Sequence, residues 1–288
     1  MPPITRFAPS PTGMLHLGHA YSAWAGWHEA MRSGGRFLLR IEDIDRGRCR
    51  PEFEIAILED LAWLGLTWES PVRRQSDHLD DYTRALVGLT LKGLVYPCFC
   101  TRQDIAREIE AAAGAPHAAS DGPDGPIYPG LCRHLSTDEV EARKDNGDAF
   151  ALRLRMDQAV ALTGPLDWTD VDRGRQKAVP EAFGDVVLAR KDTPTSYHLS
   201  VTVDDGLQGI TRVVRGEDLF EATHVHRLLQ ALLGLATPEY RHHGLLTDDA
   251  GRRYAKRDKA LTIQSLRDAG KTPQQVWDLA GVPREAQP

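Results

Sequence analysis

The chain has 288 residues and a mass of 31.9 kDa, room for one large domain or two modest ones. Hydrophobic residues are 41% and charged residues 26%, ordinary for a globular chain that buries about 70–75% of its unfolded surface without staples. A mean hydropathy of −0.39 and no long apolar run exclude a membrane span, and a net charge of −6 excludes a histone-like basic coat.

Local basic patches still suffice for contact with nucleic acid. The start, MPPITRFAPSPTG, has no basic stretch followed by an apolar core, so no secretory signal is expected. Four cysteines make no disulfide framework, and the expected location is cytoplasmic. A monomer is expected.

Thr5–Ala8 reads as a strand running into the turn PSPTG. A helical pattern follows with Leu17, Ala20, Trp24, Trp27 and Met31, closed by Gly34-Gly35. Phe37–Ile41 reads as a second strand ending in the acidic EDID. Pro51 opens a helix carrying Ile57, Leu58, Leu61 and Leu64, stopped by Gly65. Another helix carries Leu79, Tyr82, Leu86 and Leu89 up to Gly93. Strand–helix alternation of this kind predicts a parallel sheet with covering helices.

From Tyr96 the texture changes, with a cysteine pair and then the low-complexity stretch 111–126, which reads as a loop. Phe150–Met156, Val186–Ala189 and Ile210–Val214 read as strands, followed by a helix with Ala222, Val225, Leu229 and Leu232. The closing segment is short and polar, with room for helices at 263–269 and 273–280. The expected fold class is α/β: a doubly wound domain, interrupted by an insertion and then resumed.

In PSPTGMLHLGHA (9–20), His16 and His19 lie three apart where a turn enters a helix. Both imidazoles then face one ligand at a helix N-terminus, where free N–H groups and the dipole favour phosphate. There they can donate to charge developing on a phosphate in flight. A solvated pair or a pair of metal ligands are the plainer readings, and the place after strand one favours nucleotide binding. In RRYAKRDKA (252–260), five of the eight residues from Arg252 to Lys259 are basic. Such a loop is either a solvated face or an electrostatic clamp on a triphosphate.

In this order the two segments resemble the class I aminoacyl-tRNA synthetase motifs known as HIGH and KMSKS. RFAPSPTG, RIEDID, SYHLSVTVDD and RVVRGEDL are similar to the glutamyl-tRNA synthetase pattern, spread from Arg6 to Lys259. The resemblance implies a Rossmann-type catalytic domain using ATP with magnesium and glutamate as the amino acid. It makes His16, His19 and Lys259 catalytic, with Glu217, Asp218 and Lys256 joining them on ATP. It puts Arg6, Ala8, Ser10, Glu42, Tyr197 and Arg215 around the glutamate. The chemistry agrees: two carboxylates and an ammonium need cationic donors and an acid, and a strand-end salt bridge is the plainer reading of Arg6 and Glu42. Asp258 departs from the pattern, standing where most class I enzymes have serine, which weakens the loop's hold on ATP.

Cys98 and Cys100 can turn toward one zinc, with Cys132 as a third ligand and Tyr128, His134 or His117 in the fourth place. C-x-C followed by Y-P-G-x-C resembles the zinc site of small glutamyl-tRNA synthetase paralogues, which implies Cys98, Cys100, Tyr128 and Cys132 as the ligands. Buried free cysteines are the plainer reading, and Cys49 has no partner in the pattern. The expected organisation is a first catalytic half at 1–95 and a zinc-binding insertion at 96–180. A second catalytic half at 181–245 precedes the lysine loop and short helices at 246–288. Only residues 261–288 follow Ala260, with no room for an anticodon-binding domain. The whole pattern resembles the glutamyl-queuosine tRNA(Asp) synthetases. That implies tRNA-independent activation of glutamate and its transfer to queuosine in the anticodon loop of tRNA(Asp). A minimal glutamyl-tRNA synthetase and a non-catalytic tRNA-binding paralogue are the alternatives. Lys259→Ala is expected to abolish most ATP–pyrophosphate exchange; unchanged exchange takes that lysine out of the mechanism.

Overall fold

A computed structural model describes residues 1–112, 121–246 and 262–288. The lysine-loop residues Lys256, Asp258 and Lys259, and His117, lie outside the described residues. The first half contains β1 (Ile4–Phe7), α1 (Leu17–Met31), β2 (Arg36–Ile41), α2 (Pro51–Trp63), β3 (Glu69–Arg74) and α3 (Leu79–Leu91). Next come β4 (Val95–Cys98), α4 (Arg102–Ala112), β5 (Asp121–Gly122), β6 (Gly125–Pro126), α5 (Thr137–Asp145), β7 (Ala151–Leu154) and α6 (Met156–Thr163). The hairpin β8 (Asp167–Asp170) and β9 (Gly174–Lys177) follows, then β10 (Val187–Ala189), α7 (Tyr197–Leu207), β11 (Arg212–Gly216), α8 (Ala222–Leu233) and β12 (Glu239–His243). The helices α9 (Ile263–Asp268) and α10 (Pro273–Leu279) close the described chain.

Strands β1, β2 and β3 form a parallel sheet, and β11 pairs in parallel with β12. The two sheets meet where the Thr211 amide donates to the Ile4 carbonyl at 3.0 Å and the Ile4 amide to the Thr211 hydroxyl at 2.8 Å. The spatial order is therefore β3-β2-β1-β11-β12, and the winding reverses between β1 and β11. A doubly wound sheet opens a crevice at that point, outside the carboxyl ends of its strands. The hairpin β8–β9 extends the sheet beyond β12, while β4, β7 and β10 form a separate antiparallel sheet.

Local chemistry explains the paired elements. Pro51 opens α2 and Glu52 and Glu54 occupy its first turn, where the helix dipole favours acids. Gly65 follows with φ +85°, a conformation that favours glycine. Thr5 of β1 donates to the Gly26 carbonyl at 2.7 Å, and a Cβ at Gly26 would come within 3.3 Å of Phe37. Helix α1 thus lies close on the sheet and brings its N-terminus to the crevice.

Several expectations shift. Residues 150–156 do not form one strand, because α6 already begins at Met156. Helix α4 runs to Ala112 and 121–126 form a short hairpin, so the described ends of the stretch 111–126 are ordered elements rather than loop. The closing segment is not merely polar. Val276, Trp277, Ala280 and Val282 are buried against α1 and α2, and the Trp277 indole donates to the Leu64 carbonyl at 3.1 Å. Trp277→Ala is expected to lower unfolding stability by about 3–5 kcal/mol in a urea titration. A loss below about 1 kcal/mol would mean that the tail does not support the core.

Candidate active site

A cavity of about 350 Å³ opens at the crevice, lined by Arg6 of β1, Ala8 just beyond that strand and Arg215 of β11. His16, His19, Glu42, Tyr197 and Asp218 also line it, with Tyr21, Ser22 and His243 beside them. Ser10 lines an adjoining cavity of about 260 Å³ that shares Glu42 and Tyr197 as its wall. Glu217 is not brought to either cavity; it is half-exposed and paired with Arg173 at 3.2 Å. The other described residues of the expected site converge from distant parts of the chain.

His16 is the N-cap of α1, and its Nδ1 accepts the Gly18 amide at 3.1 Å. The His19 Nδ1 accepts the His16 amide at 3.3 Å, closing a reciprocal capping box made of two imidazoles. The rings stack with centroids 3.7 Å apart. A neutral imidazole that accepts at Nδ1 carries its proton at Nε2. Both rings are thereby set as Nε2–H donors at the positive end of a helix. A Cβ at Gly18 would lie 3.1 Å from the His16 ring, so a side chain there would make the capping imidazole shift by a few tenths of an ångström.

Under the cavity floor lies a buried ionic network. Arg6 holds Asp205 through Nε at 3.0 Å and Nη2 at 3.2 Å. Arg40, fully buried, donates to Asp205 at 2.8 Å, Gln208 at 2.9 Å and Glu42 at 3.2 Å. The adjacent Asp204 accepts from Arg73 at 2.8 Å, Gln75 at 2.8 Å and the Tyr82 hydroxyl at 2.9 Å. Burial alone would raise Asp205, but Arg6 and Arg40 bring it below the ordinary carboxylate range. Burial holds Glu42 above that range, and Arg40 and Arg6 pull it back only in part. Glu42 is the carboxylate with unmet demand for a cation.

Arg215 is held differently. Its Nε donates to His242 at 3.1 Å, Nη1 to His226 at 3.3 Å, and Nη2 to the Leu219 carbonyl at 3.0 Å and Thr223 at 2.6 Å. Among the described residues no carboxylate pairs with this guanidinium, although it is only 5% exposed. Arg6 is matched by Asp205, whereas Arg215 has neutral acceptors around it among the described residues.

Away from this site, Cys98, Cys100 and Cys132 place their sulfurs within 4.8 Å of one another. The Tyr128 hydroxyl lies 3.3 Å from the Cys98 sulfur and 3.5 Å from that of Cys100. A tetrahedral zinc with bonds of about 2.3 Å spaces its ligands about 3.8 Å apart, so these four atoms fit one ion. Burial pushes the Cys98 thiol up, but Tyr128 and Arg153 outweigh it and leave it below the ordinary thiol value. Cys100 is pushed up to about 12, first by burial and then by the neighbouring sulfurs. His134 is not part of this cluster.

The family model of the class I tRNA synthetase (E and Q) catalytic domain matches residues 4–282. A Rhodobacter capsulatus protein named glutamyl-Q tRNA(Asp) synthetase is 53% identical, over 97% of this chain and 100% of its own length. One of the same name from Symbiobacterium thermophilum is 42% identical, over 94% of this chain and 83% of its own. The chain belongs to the glutamyl-Q tRNA(Asp) synthetase family. As a member it is a ligase of the class I synthetase group, and the fold implies ATP use. A solved glutamate tRNA ligase from Elizabethkingia meningosepticum, in complex with its amino acid, matches with a TM-score of 0.74 at 29% identity. The match covers 90% of this chain and 52% of that one, so the chain spans about half the ligase's length.

Membership explains the motifs but not the residues that hold them. Asp204, Asp205 and Arg40 carry the floor of the site, and His226, His242 and Asp170 its Arg215 wall. The adjacent aspartates in SVTVDD were the available sign: charges inside an apolar helix need buried partners. Nothing in the spacing of His226 and His242 pairs either with Arg215, because α8 and β12 meet β11 only in the fold.

Proposed function

We propose that the protein joins L-glutamate to ATP, without tRNA, to form glutamyl-adenylate and pyrophosphate. It then transfers the glutamyl group to queuosine at the wobble position of tRNA(Asp). The observation that carries this is the meeting, in one cavity, of the two imidazole donors with Glu42 and an Arg215 that no carboxylate matches among the described residues. Glu42 receives the ammonium of glutamate, which relieves its burial. Arg215 receives the side-chain carboxylate, leaving the α-carboxylate unclamped to act as the nucleophile. That oxygen attacks the α-phosphorus of ATP in line as the bond to pyrophosphate breaks. The Nε2–H groups of His16 and His19 stabilise the phosphate charge as it develops, with Lys256, Lys259 and Asp218 assigned to ATP from the motifs. A hydroxyl of the queuosine cyclopentene ring then attacks the carbonyl carbon, and AMP leaves.

The names of the relatives support queuosine-bearing tRNA(Asp) as the acceptor. Cys98, Cys100, Tyr128 and Cys132 would hold one structural zinc, which ties β4 to the residues beyond the insertion's hairpin. Atomic absorption is expected to find about one zinc per chain, and a metal-free, fully active protein contradicts the site. The function is tested by incubating the protein with ATP, labelled glutamate and tRNA(Asp) with and without queuosine. Labelling that requires queuosine is the expected result. Charging of tRNA(Glu) would point instead to a minimal glutamyl-tRNA synthetase, and absence of adenylate to a non-catalytic paralogue.

A further inference from the structure

Arg215 is a donor-only side chain, and this fixes the direction of every bond behind it. The His226 Nδ1 must accept from Nη1, so His226 carries its proton at Nε2, 3.2 Å from the His198 Nδ1. His198 must then carry its own proton at Nε2, which lies 3.5 Å from the Asp124 carboxylate in the turn between β5 and β6. On the other side the His242 Nε2 accepts from the Arg215 Nε, so Nδ1–H donates to Asp170 at 2.8 Å. Asp170 is itself pinned by the amides of Asp172 and Arg173, both at 3.0 Å. Four of the five N–H groups of Arg215 are used in this way, and the fifth, on Nη1, has no acceptor among the described residues.

We infer that His226, backed by His198 and Asp124, and His242, backed by Asp170, are positioning residues that make the pocket select a carboxylate over an amide. The inference rests on the reading that Arg215 receives the side-chain carboxylate of glutamate. A carboxylate in place of either imidazole would hold the guanidinium equally well but cancel its charge. Neutral acceptors orient it and leave the charge whole, so glutamate gains an ion pair that glutamine lacks. The imidazoles stay neutral because burial and the nearby Arg215 keep His226 far below its ordinary value and take His242 down to about 4. The backing carboxylates sit one or two rings away, where they set the tautomer without pairing with the arginine.

The test is calorimetric titration of the full chain with L-glutamate and with L-glutamine, in folded variants checked by circular dichroism. His226→Gln keeps a neutral acceptor and is expected to hold the glutamate Kd within about threefold. His226→Glu supplies an equally good acceptor with a charge, and is expected to weaken glutamate at least about tenfold while leaving glutamine little changed. His198→Ala, at a more exposed position, is expected to weaken glutamate severalfold, with rescue by His198→Gln. Parental glutamate and glutamine affinities in folded His226→Glu, or in His198→Ala if the former does not fold, overturn the inference. Arg215→Met serves as the separate control. Unchanged glutamate binding in it would remove the reading of Arg215 itself, whereas its loss beside a parental His226→Glu would remove only the positioning role.

Discussion

Asp205 stands where three elements meet, and its carboxylate takes both Arg6 of β1 and Arg40 of β2 from its place on α7. Asp204, its neighbour, reaches Arg73 of β3 and Tyr82 of α3. One acidic dipeptide therefore ties α7 to all three strands of the first sheet. Arg6, Arg40, Asp204 and Asp205 are buried, so none of them can be left without its partner: breaking such a pair costs about 3–5 kcal/mol. The network also sets the site, because Arg6 and Glu42 line the cavity while their far sides are committed beneath it.

The same constraint divides labour between two arginines that look equivalent in sequence. Arg6 is bidentate on Asp205, and its charge is balanced within the protein. Arg215 is surrounded by imidazoles, a hydroxyl and a carbonyl, which satisfy donors without balancing charge. Glu42 is the complementary case, a carboxylate whose burial exceeds the compensation it receives. An amino acid with a carboxylate side chain and an ammonium meets both demands at once. At the opposite wall the two histidines spend their Nδ1 atoms on the start of α1, which sets the proton of each neutral ring at Nε2.

The cluster around Tyr128 follows a different logic. There the chemistry is local: C-x-C on β4 and its end meets Y-P-G-x-C after the hairpin, and four donor atoms close on one point. Arg153 lies over the Tyr128 ring at 3.8 Å, so β7 holds the tyrosine from the sheet side. The spacing alone left Tyr128, His134 and His117 open as fourth ligands, and the fold brings the phenol to the sulfurs.

The parts legible in the sequence are those whose determinants are contiguous. Periodic apolar residues marked α1, α2, α3 and α8 nearly to their ends, and HLGH marked a helix start because a capping box is made within four residues. Composition and motif order were enough for the α/β class and for most of the polar side chains that line the cavity. Strands β3 and β12 were illegible, since ESPVRR and EYRHH carry too many charges to alternate plainly. Tyr240 and His242 turn inward in β12 only because β11 and β8 flank it. Likewise Trp277 reads as an isolated aromatic until α10 folds it under α2. What the sequence by itself determined was which charged groups are present at the strand ends. Only the tertiary structure decided which of them are neutralised, because burial makes each charge depend on a partner from another element.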